Sequence, residues 1–340
     1  MELLPKDLLR KCLLGVPYTW HDNLKAVCRR WEGMLNSARF YPDRNISGKS
    51  EQLICLLHKD PKVVGDKLVI TIYDPLNGTL KRLTPIDDPH FTGLSTMSHC
   101  VAVNRKLVLF SGESTMQNVY IYDFESARWS RGADMPTPRS FFACSVSSSS
   151  GLVYVAGGFD ENSNSLSAAE TYNVEEHQWE VLLPMNEQHG GGCYGVFLDG
   201  KFMVLTARSG DRSVEVFNPS AGTAGAWEDI LNFNDDLWNS RGAASSSGNL
   251  YVFSDHHVMM YDRENNVWSL VAALPQQNYF ITCVTEWQDC IFVSACDFTS
   301  KKQISYLFNP STRCWIQVIG DEDGFFGMVI AATTLRFEYD

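Results

Sequence analysis

A short pattern recurs along this chain: an aromatic residue, Asp or Asn, a few polar residues, then tryptophan. The copies read Tyr122-Asp123…Trp129, Tyr172-Asn173…Trp179, Phe217-Asn218…Trp227, Tyr261-Asp262…Trp268 and Phe308-Asn309…Trp315. A degenerate sixth copy, Tyr73-Asp74-Pro75…Leu80, precedes them. Successive tryptophans stand 50, 48, 41 and 47 residues apart. A self-similar unit of this length is the sequence signature of a propeller blade. The six copies predict a mostly β fold, a six-bladed β-propeller.

From about Glu51 the apolar period is two. Short β-rich runs such as Leu53–His58, Lys106–Phe110, Leu152–Ala156, Lys201–Thr206 and Ile291–Ser294 alternate with turn residues such as Asp199-Gly200 and Gly248-Asn249. The blades are expected near 51–86, 95–135, 138–185, 189–233, 240–275 and 278–319. The segment 328–337 is one more strand with no repeat of its own, and the first blade lacks an obvious first strand. The last strand is therefore expected to complete the first blade and remove an exposed edge. Cys100, Cys144, Cys193 and Cys283 precede equivalent strands in four blades. A small, weakly polar side chain suits the crowded first strand, and four ligands from four blades would line a channel too wide for one zinc.

The first 40 residues read as helices, in a unit expected over 1–45, with 46–50 as a linker and 51–340 as the propeller. Pro5 and Asp7 suit a helix start, and Gly15 with Pro17 a stop. A second helix is expected from Thr19, with Asp22 closing a capping box and Leu24, Val27, Cys28, Trp31 and Leu35 as its apolar stripe. So short a helical unit buries little by itself. It needs a partner, the propeller, or both.

Composition narrows the function. At 44% hydrophobic and 20% charged, the 340 residues are those of a folded chain with a large core. No run approaches the roughly 18 apolar residues of a membrane span, and Met1–Asp7 lacks the profile of a secretory leader. The ten cysteines include no CxxC pair and read as free thiols of a reducing compartment. The net charge of −12 divides into +4 for residues 1–50 (nine Lys/Arg, five Asp/Glu) and −16 for the rest (19 against 35). So acidic a body repels phosphate backbones, which argues against direct nucleic-acid binding. A Gly190-x-Gly192-x-x-Gly195 match leads into a hairpin, not a helix, so it is no dinucleotide fingerprint.

Gly157-Gly158 with Tyr172-Asn173, Trp179 and Pro184-Met185 resembles a kelch repeat, best over Pro138–Met185; Ser111-Gly112 keeps part of it, and blades four to six lack the diglycine. Leu3-Leu4-Pro5-Lys6-Asp7-Leu8, Cys12-Leu13-Leu14-Gly15-Val16-Pro17, Leu24 and Val27-Cys28-Arg29-Arg30-Trp31 together resemble an F-box. The whole chain thus resembles the plant F-box/kelch class: a small N-terminal all-α F-box followed by a kelch-type propeller. Arg139–Cys144 with Val155–Gly158, and Gly48–Leu57, are similar to the KISS ME DEADLY group within it. One stretch departs from that group: the fourth blade opens Glu187-Gln-His-Gly-Gly-Gly-Cys193, where an Arg-Asp-Glu-Cys-like stretch is usual.

The resemblance implies the substrate-recognition subunit of an SCF-type ubiquitin ligase, working in cytoplasm and nucleus without cofactor, metal or catalysis of its own. Its F-box would dock a Skp-type adaptor and, through it, a cullin–RING ligase. Its propeller would hold a target protein, with phenylalanine ammonia-lyase or type-B cytokinin response regulators as the implied targets. The residues agree with an adaptor site, because an undersized helical unit with basic flanks (Lys25, Arg29, Arg30) suits an acidic helical partner. The candidates for that contact, or for the helical core behind it, are Leu4, Pro5, Leu8, Leu13, Leu14, Leu24, Val27 and Trp31. The turn entering each first strand carries His99, Arg139, His189, Arg241 and Tyr279, a candidate target-binding ring, with Phe141 and Phe142 as apolar anchors. The same arginines could instead support loops, and the two phenylalanines could be strand core. Two other readings stay open: an interaction scaffold without ligase coupling, and a metal-dependent propeller enzyme.

Overall fold

The computed structural model describes residues 4–59, 68–83, 94–113, 115–208, 211–220, 225–229, 240–276, 279–297, 299–300, 302–319 and 327–337. Among these, six four-stranded antiparallel sheets form the blades. The first blade holds β1 (Gln52–Lys59), β2 (Leu68–Asp74) and β3 (Thr79–Arg82). The second holds β4 (His99–Val103), β5 (Lys106–Phe110), β6 (Val119–Asp123) and β7 (Arg128–Arg131). The third holds β8 (Ala143–Val146), β9 (Val153–Ala156), β10 (Ala169–Asn173) and β11 (Gln178–Val181), and the fourth β12 (Cys193–Leu198), β13 (Lys201–Arg208), β14 (Asp211–Phe217) and β15 (Trp227–Asp229). The fifth holds β16 (Ser240–Ser246), β17 (Asn249–Ser254), β18 (His257–Asp262) and β19 (Val267–Ala273); the sixth holds β20 (Tyr279–Trp287), β21 (Cys290–Asp297), β22 (Gln303–Asn309) and β23 (Cys314–Ile319). The innermost place in the first blade is taken by β24 (Val329–Arg336), paired with β1 from Gln52↔Arg336 to Leu57↔Ala331. Innermost strands touch in the order β24, β4, β8, β12, β16, β20 and back to β24, which closes the ring.

The repeated motif works at three levels. Its aromatic and its tryptophan pair across the two outer strands in register: Tyr122↔Trp129, Tyr172↔Trp179, Phe217↔Trp227, Tyr261↔Trp268 and Phe308↔Trp315. Such pairs contribute about 0.2–1 kcal/mol each. The Asp or Asn after the aromatic closes the intervening turn: Asn173 Oδ1 accepts from the backbone N–H of Glu175 and Glu176, and Asp262 does so for Glu264 and Asn265. The indoles then bolt one blade to the one before it. Trp179, Trp227 and Trp315 donate to the carbonyls of Ala133, Leu183 and Ala273 at 3.0, 2.9 and 3.1 Å. In the degenerate copy Leu80 takes the tryptophan's place opposite Tyr73.

The helical unit comprises α1 (Lys6–Leu14), a 3-10 turn (Tyr18–Trp20), α2 (His21–Lys25), α3 (Arg29–Leu35) and α4 (Phe40–Ile46). The single second helix expected from Thr19 is broken, because Cys28 is fully extended (φ −167°, ψ 159°) between α2 and α3. The capping box does not form either. The Thr19 hydroxyl instead meets Thr79 of the propeller at 2.8 Å, and Asp22 pairs with Lys81 at 2.8 Å. The segment around Ile46–Ser50 is held in place: Arg44 donates to the Lys49 carbonyl at 3.0 Å and pairs with Glu51 at 2.9 Å.

Helices and propeller are welded. The Tyr18 ring lies 4.7 Å from Phe337 and 6.1 Å from Phe124, and the Tyr41 ring stacks on Phe337 at 5.5 Å. Glu51 accepts from the Tyr18 backbone N–H at 3.0 Å, and Lys81 Nζ sits 4.2 Å from the centre of the Tyr18 ring. Phe124, the Asp74–Thr79 turn and Phe337 all lie at one end of the ring. The segments that lead into the first strands lie at the other. Among the described residues, the helical unit packs against blades one and two at the first of these ends and does not reach the opposite mouth.

Candidate functional site

Two surfaces result. On the helical unit, Leu9, Leu13, Leu14, Met34, Leu35 and Phe40 form a small core, against which the half-buried Leu24 and Trp31 pack. Leu4, Leu8 and Val27 point outward, 48, 50 and 46% exposed, beside exposed Pro5, Cys12 and Cys28. Leu8 and Cys12 are one helical turn apart, so they share a face that the interior side chains Leu9 and Leu13 do not. Arg30 donates to the Leu4 carbonyl at 3.4 Å, which ties the start of α1 to α3. Of the eight side chains expected at the adaptor contact or in the helical core behind it, Leu4, Pro5, Leu8 and Val27 are exposed. Leu13 and Leu14 are core, because burying them is what lets so few helices cohere.

At the free mouth the candidate ring divides. Phe141 is 40% exposed, Arg241 is exposed and bound to Asp255 at 2.9 Å, and His99 and Tyr279 are half-buried. Arg139, His189 and Phe142 have no exposed surface at all. These three support the mouth and do not form its face. Arg139 donates to the carbonyls of Gly157 and Ala168 at 3.0 and 2.8 Å and pairs with Glu170 at 2.9 Å. Burial lowers its guanidinium and the Glu170 charge opposes that. One blade on, His189 Nε2 lies 2.6 Å from Glu215, which also accepts from the backbone N–H of Asn186 and Glu187 at 2.8 and 3.1 Å. Glu170 and Glu215 each stand two residues before the motif aromatic, Tyr172 or Phe217. A carboxylate in mid-strand at that fixed offset is the sequence signal that could have marked these buried pairs.

Around the axis lies a cavity of about 220 Å³ whose lining includes Cys100, Cys144, Gly195, Ala244, Thr285 and Thr333. Gly195 is required there, since a Cβ would come within 2.7 Å of the Cys144 backbone nitrogen. Burial raises the thiols of Cys100 and Cys144 and pushes Cys283 up to about 12. They stay protonated, the poor form for metal binding or attack. Among the described residues no group of three or more His, Cys, Asp and Glu could hold a metal ion, and no helix is long and apolar enough to cross a membrane.

Two histidines make the fold acid-sensitive, His21 in the interior and the half-buried His99. His21 lies 3.0 Å from the Val16 carbonyl and 3.1 Å from the Tyr41 hydroxyl, and burial, then the Arg44 charge, lower its pKa to about 3. Burial lowers His99, whose ring is 4.5 Å from Phe142, to about 4. The unfolded chain binds these protons near 6.5, so the stability they carry is full above that pH and is lost as pH falls through 6.5 toward 4 and 3. The expected slope is up to about 1.4 kcal/mol per pH unit per histidine. Urea midpoints at pH 7 and pH 5 check this, and His21→Gln should drop less between the two than the parent does.

A ring of four-stranded blades fastened by indoles, carrying a packed helical unit with exposed apolar side chains, defines a β-propeller with an appended helical module. Sequence comparison gives the same picture. The kelch motif matches residues 141–186. The F-box/kelch-repeat protein At1g15670 of Arabidopsis thaliana is 27% identical, covering 99% of this chain and 100% of its own length. The F-box/kelch-repeat protein At1g80440 of the same plant is 28% identical over 94% of this chain and 96% of its own. The F-box/kelch-repeat protein SKIP20 is 29% identical over 72% and 70%. Fold, motif and full-length relatives thus agree in making the chain similar to the F-box/kelch-repeat proteins.

Proposed function

We propose that the protein is the non-catalytic substrate-recognition subunit of an SCF-type ubiquitin ligase. The observation that carries this reading is the exposure of Leu4, Pro5, Leu8 and Val27 on a helical unit whose other side packs against the propeller. A Skp-type adaptor covers that stripe and brings the cullin–RING ligase. The free mouth of the propeller holds a target protein, raising the local concentration of its lysines near the conjugating enzyme to about millimolar. The similarity to the KISS ME DEADLY group makes phenylalanine ammonia-lyase and type-B cytokinin response regulators the first targets to try, in cytoplasm and nucleus.

Binding of the purified chain to a Skp-type adaptor, beside a Leu4→Ala/Pro5→Ala double variant, tests the reading. The parent is expected to bind, and the variant to bind at least tenfold more weakly, about 1.4 kcal/mol, with an unchanged melting temperature because both side chains are exposed. A folded parent that does not bind the adaptor would refute ligase coupling and leave an interaction scaffold.

A further inference from the structure

Among the described residues, ten other than glycine have positive φ. Eight lie in the tight turns between consecutive paired strands, and Ser163 lies in the Asp160–Asn164 loop. Phe141, at φ 55°, is the tenth and belongs to no hairpin. A bulky L side chain in this region costs roughly 1–2 kcal/mol, which glycine avoids.

The neighbours show why the backbone turns there. Ser140 and Phe159 exchange two backbone hydrogen bonds at 3.0 and 2.9 Å, which pins the residue before it. Phe142, the residue after it, is fully buried against His99 and Phe110. Between these two anchors the chain can only throw residue 141 outward. The Phe141 ring stands on the Phe159 ring at 6.3 Å. Met97, 36% exposed, enters the neighbouring blade two residues before His99. The conformation is imposed by the backbone; the aromatic side chain placed on it adds strain and exposed apolar area to the fold.

Acid predominates on the segments around it, and Arg131 at the edge of the second blade is held by Asp134 and Asn118. From Gly132 to Gly200 the single Lys or Arg is Arg139, which is fully buried. Glu113, Glu161 and Glu187 are exposed on segments of the same mouth. Asp160 follows Phe159, and hydrogen bonds from Asn164 and Asn162 lower its carboxyl, so it stays ionised.

We infer that Phe141 is the apolar anchor of target docking, and that this part of the mouth takes a target segment bearing a large apolar or aromatic side chain flanked by Lys or Arg. The inference rests on the reading of the propeller as the target receptor. An apolar centre supplies affinity and an acidic rim supplies selectivity and salt dependence.

The probes are fluorescent decapeptides with a central Phe, Trp or Leu, flanked by Lys/Arg in one set and by Asp/Glu in the other. Their binding to the full chain is measured by polarisation at low and high salt. The basic-flanked aromatic set is expected to bind at least tenfold more tightly than the acidic set and to weaken several-fold in high salt. Phe141→Gly is expected to lose at least tenfold of that binding while its melting temperature holds or rises, and Phe141→Trp to keep it. Glu161→Lys is expected to narrow the gap between the two sets. A preference for acidic flanks, equal binding by Phe141→Gly, or a lowered melting temperature in that variant would each overturn the inference. Adaptor binding is read separately on the same proteins. Peptide selectivity without adaptor binding removes the ligase reading alone, and adaptor binding without peptide selectivity removes this inference alone.

Discussion

Arg139→Ala is expected to lower the unfolding free energy by about 3–5 kcal/mol, because it strands the Glu170 carboxylate in the interior and leaves the Gly157 and Ala168 carbonyls without their donor. Urea unfolding reads this directly. Arg241→Ala, whose ion pair with Asp255 is exposed, should stay within about 0.5 kcal/mol of the parent. The double variant Arg139→Met/Glu170→Leu separates charge from shape: removing both members of a buried pair is often close to neutral, so it should recover most of the loss. A single variant as stable as the parent would show that the guanidinium is not what holds this corner of the third blade.

Ending the chain at Met328 is expected to abolish the cooperative fold. The strand Val329–Arg336 supplies the whole inner edge of the first blade, and Leu335 and Phe337 are buried in the core shared by blades one, two and the helical unit. Without it, Gln52–Lys59 becomes an unpaired inner edge facing a gap in the ring, a surface prone to association with other strands. Size-exclusion chromatography and a thermal melt should show aggregation and no sharp transition. A synthetic peptide of residues 327–340 should restore part of the transition by strand addition. A monomeric truncated chain that melts like the parent would mean that closure contributes nothing.

The parts of this structure that could be read in the sequence are those whose causes are local. Aromatic, Asx residue and tryptophan fall within eleven residues in every complete copy, and each does its work in one hairpin, so the blades announce themselves. The helix Phe40–Ile46 did not. It is a helix of only 7 residues with Pro42 in it and no apolar stripe, and it persists because Phe40 is buried and Arg44 reaches Leu14, Lys49 and Glu51. Arg139 and His189 were legible as equivalent positions but looked like surface residues, since their carboxylate partners lie 31 and 26 residues away on other strands. Polar residues that are inside only because of a distant partner carry no apolar periodicity of their own, and the carboxylate two residues before Tyr172 and Phe217 was the one trace of them. Phe141 was legible as an apolar residue beside the mouth; its positive φ was not, because it is set by the bridge to Phe159 and the anchoring of Phe142.

The seat of the helical unit is built in part from Phe337, a residue that leaves the ribosome after every blade repeat, whereas Tyr18 and Tyr41 emerge among the first. The helices thus exist as a segment long before the surface that orients them does. A chain that stops short of Phe337 lacks part of the joint between the helical unit and the ring. The order of synthesis therefore makes the seating of the helices on the propeller the last part of the fold to be set, after every blade repeat has been made.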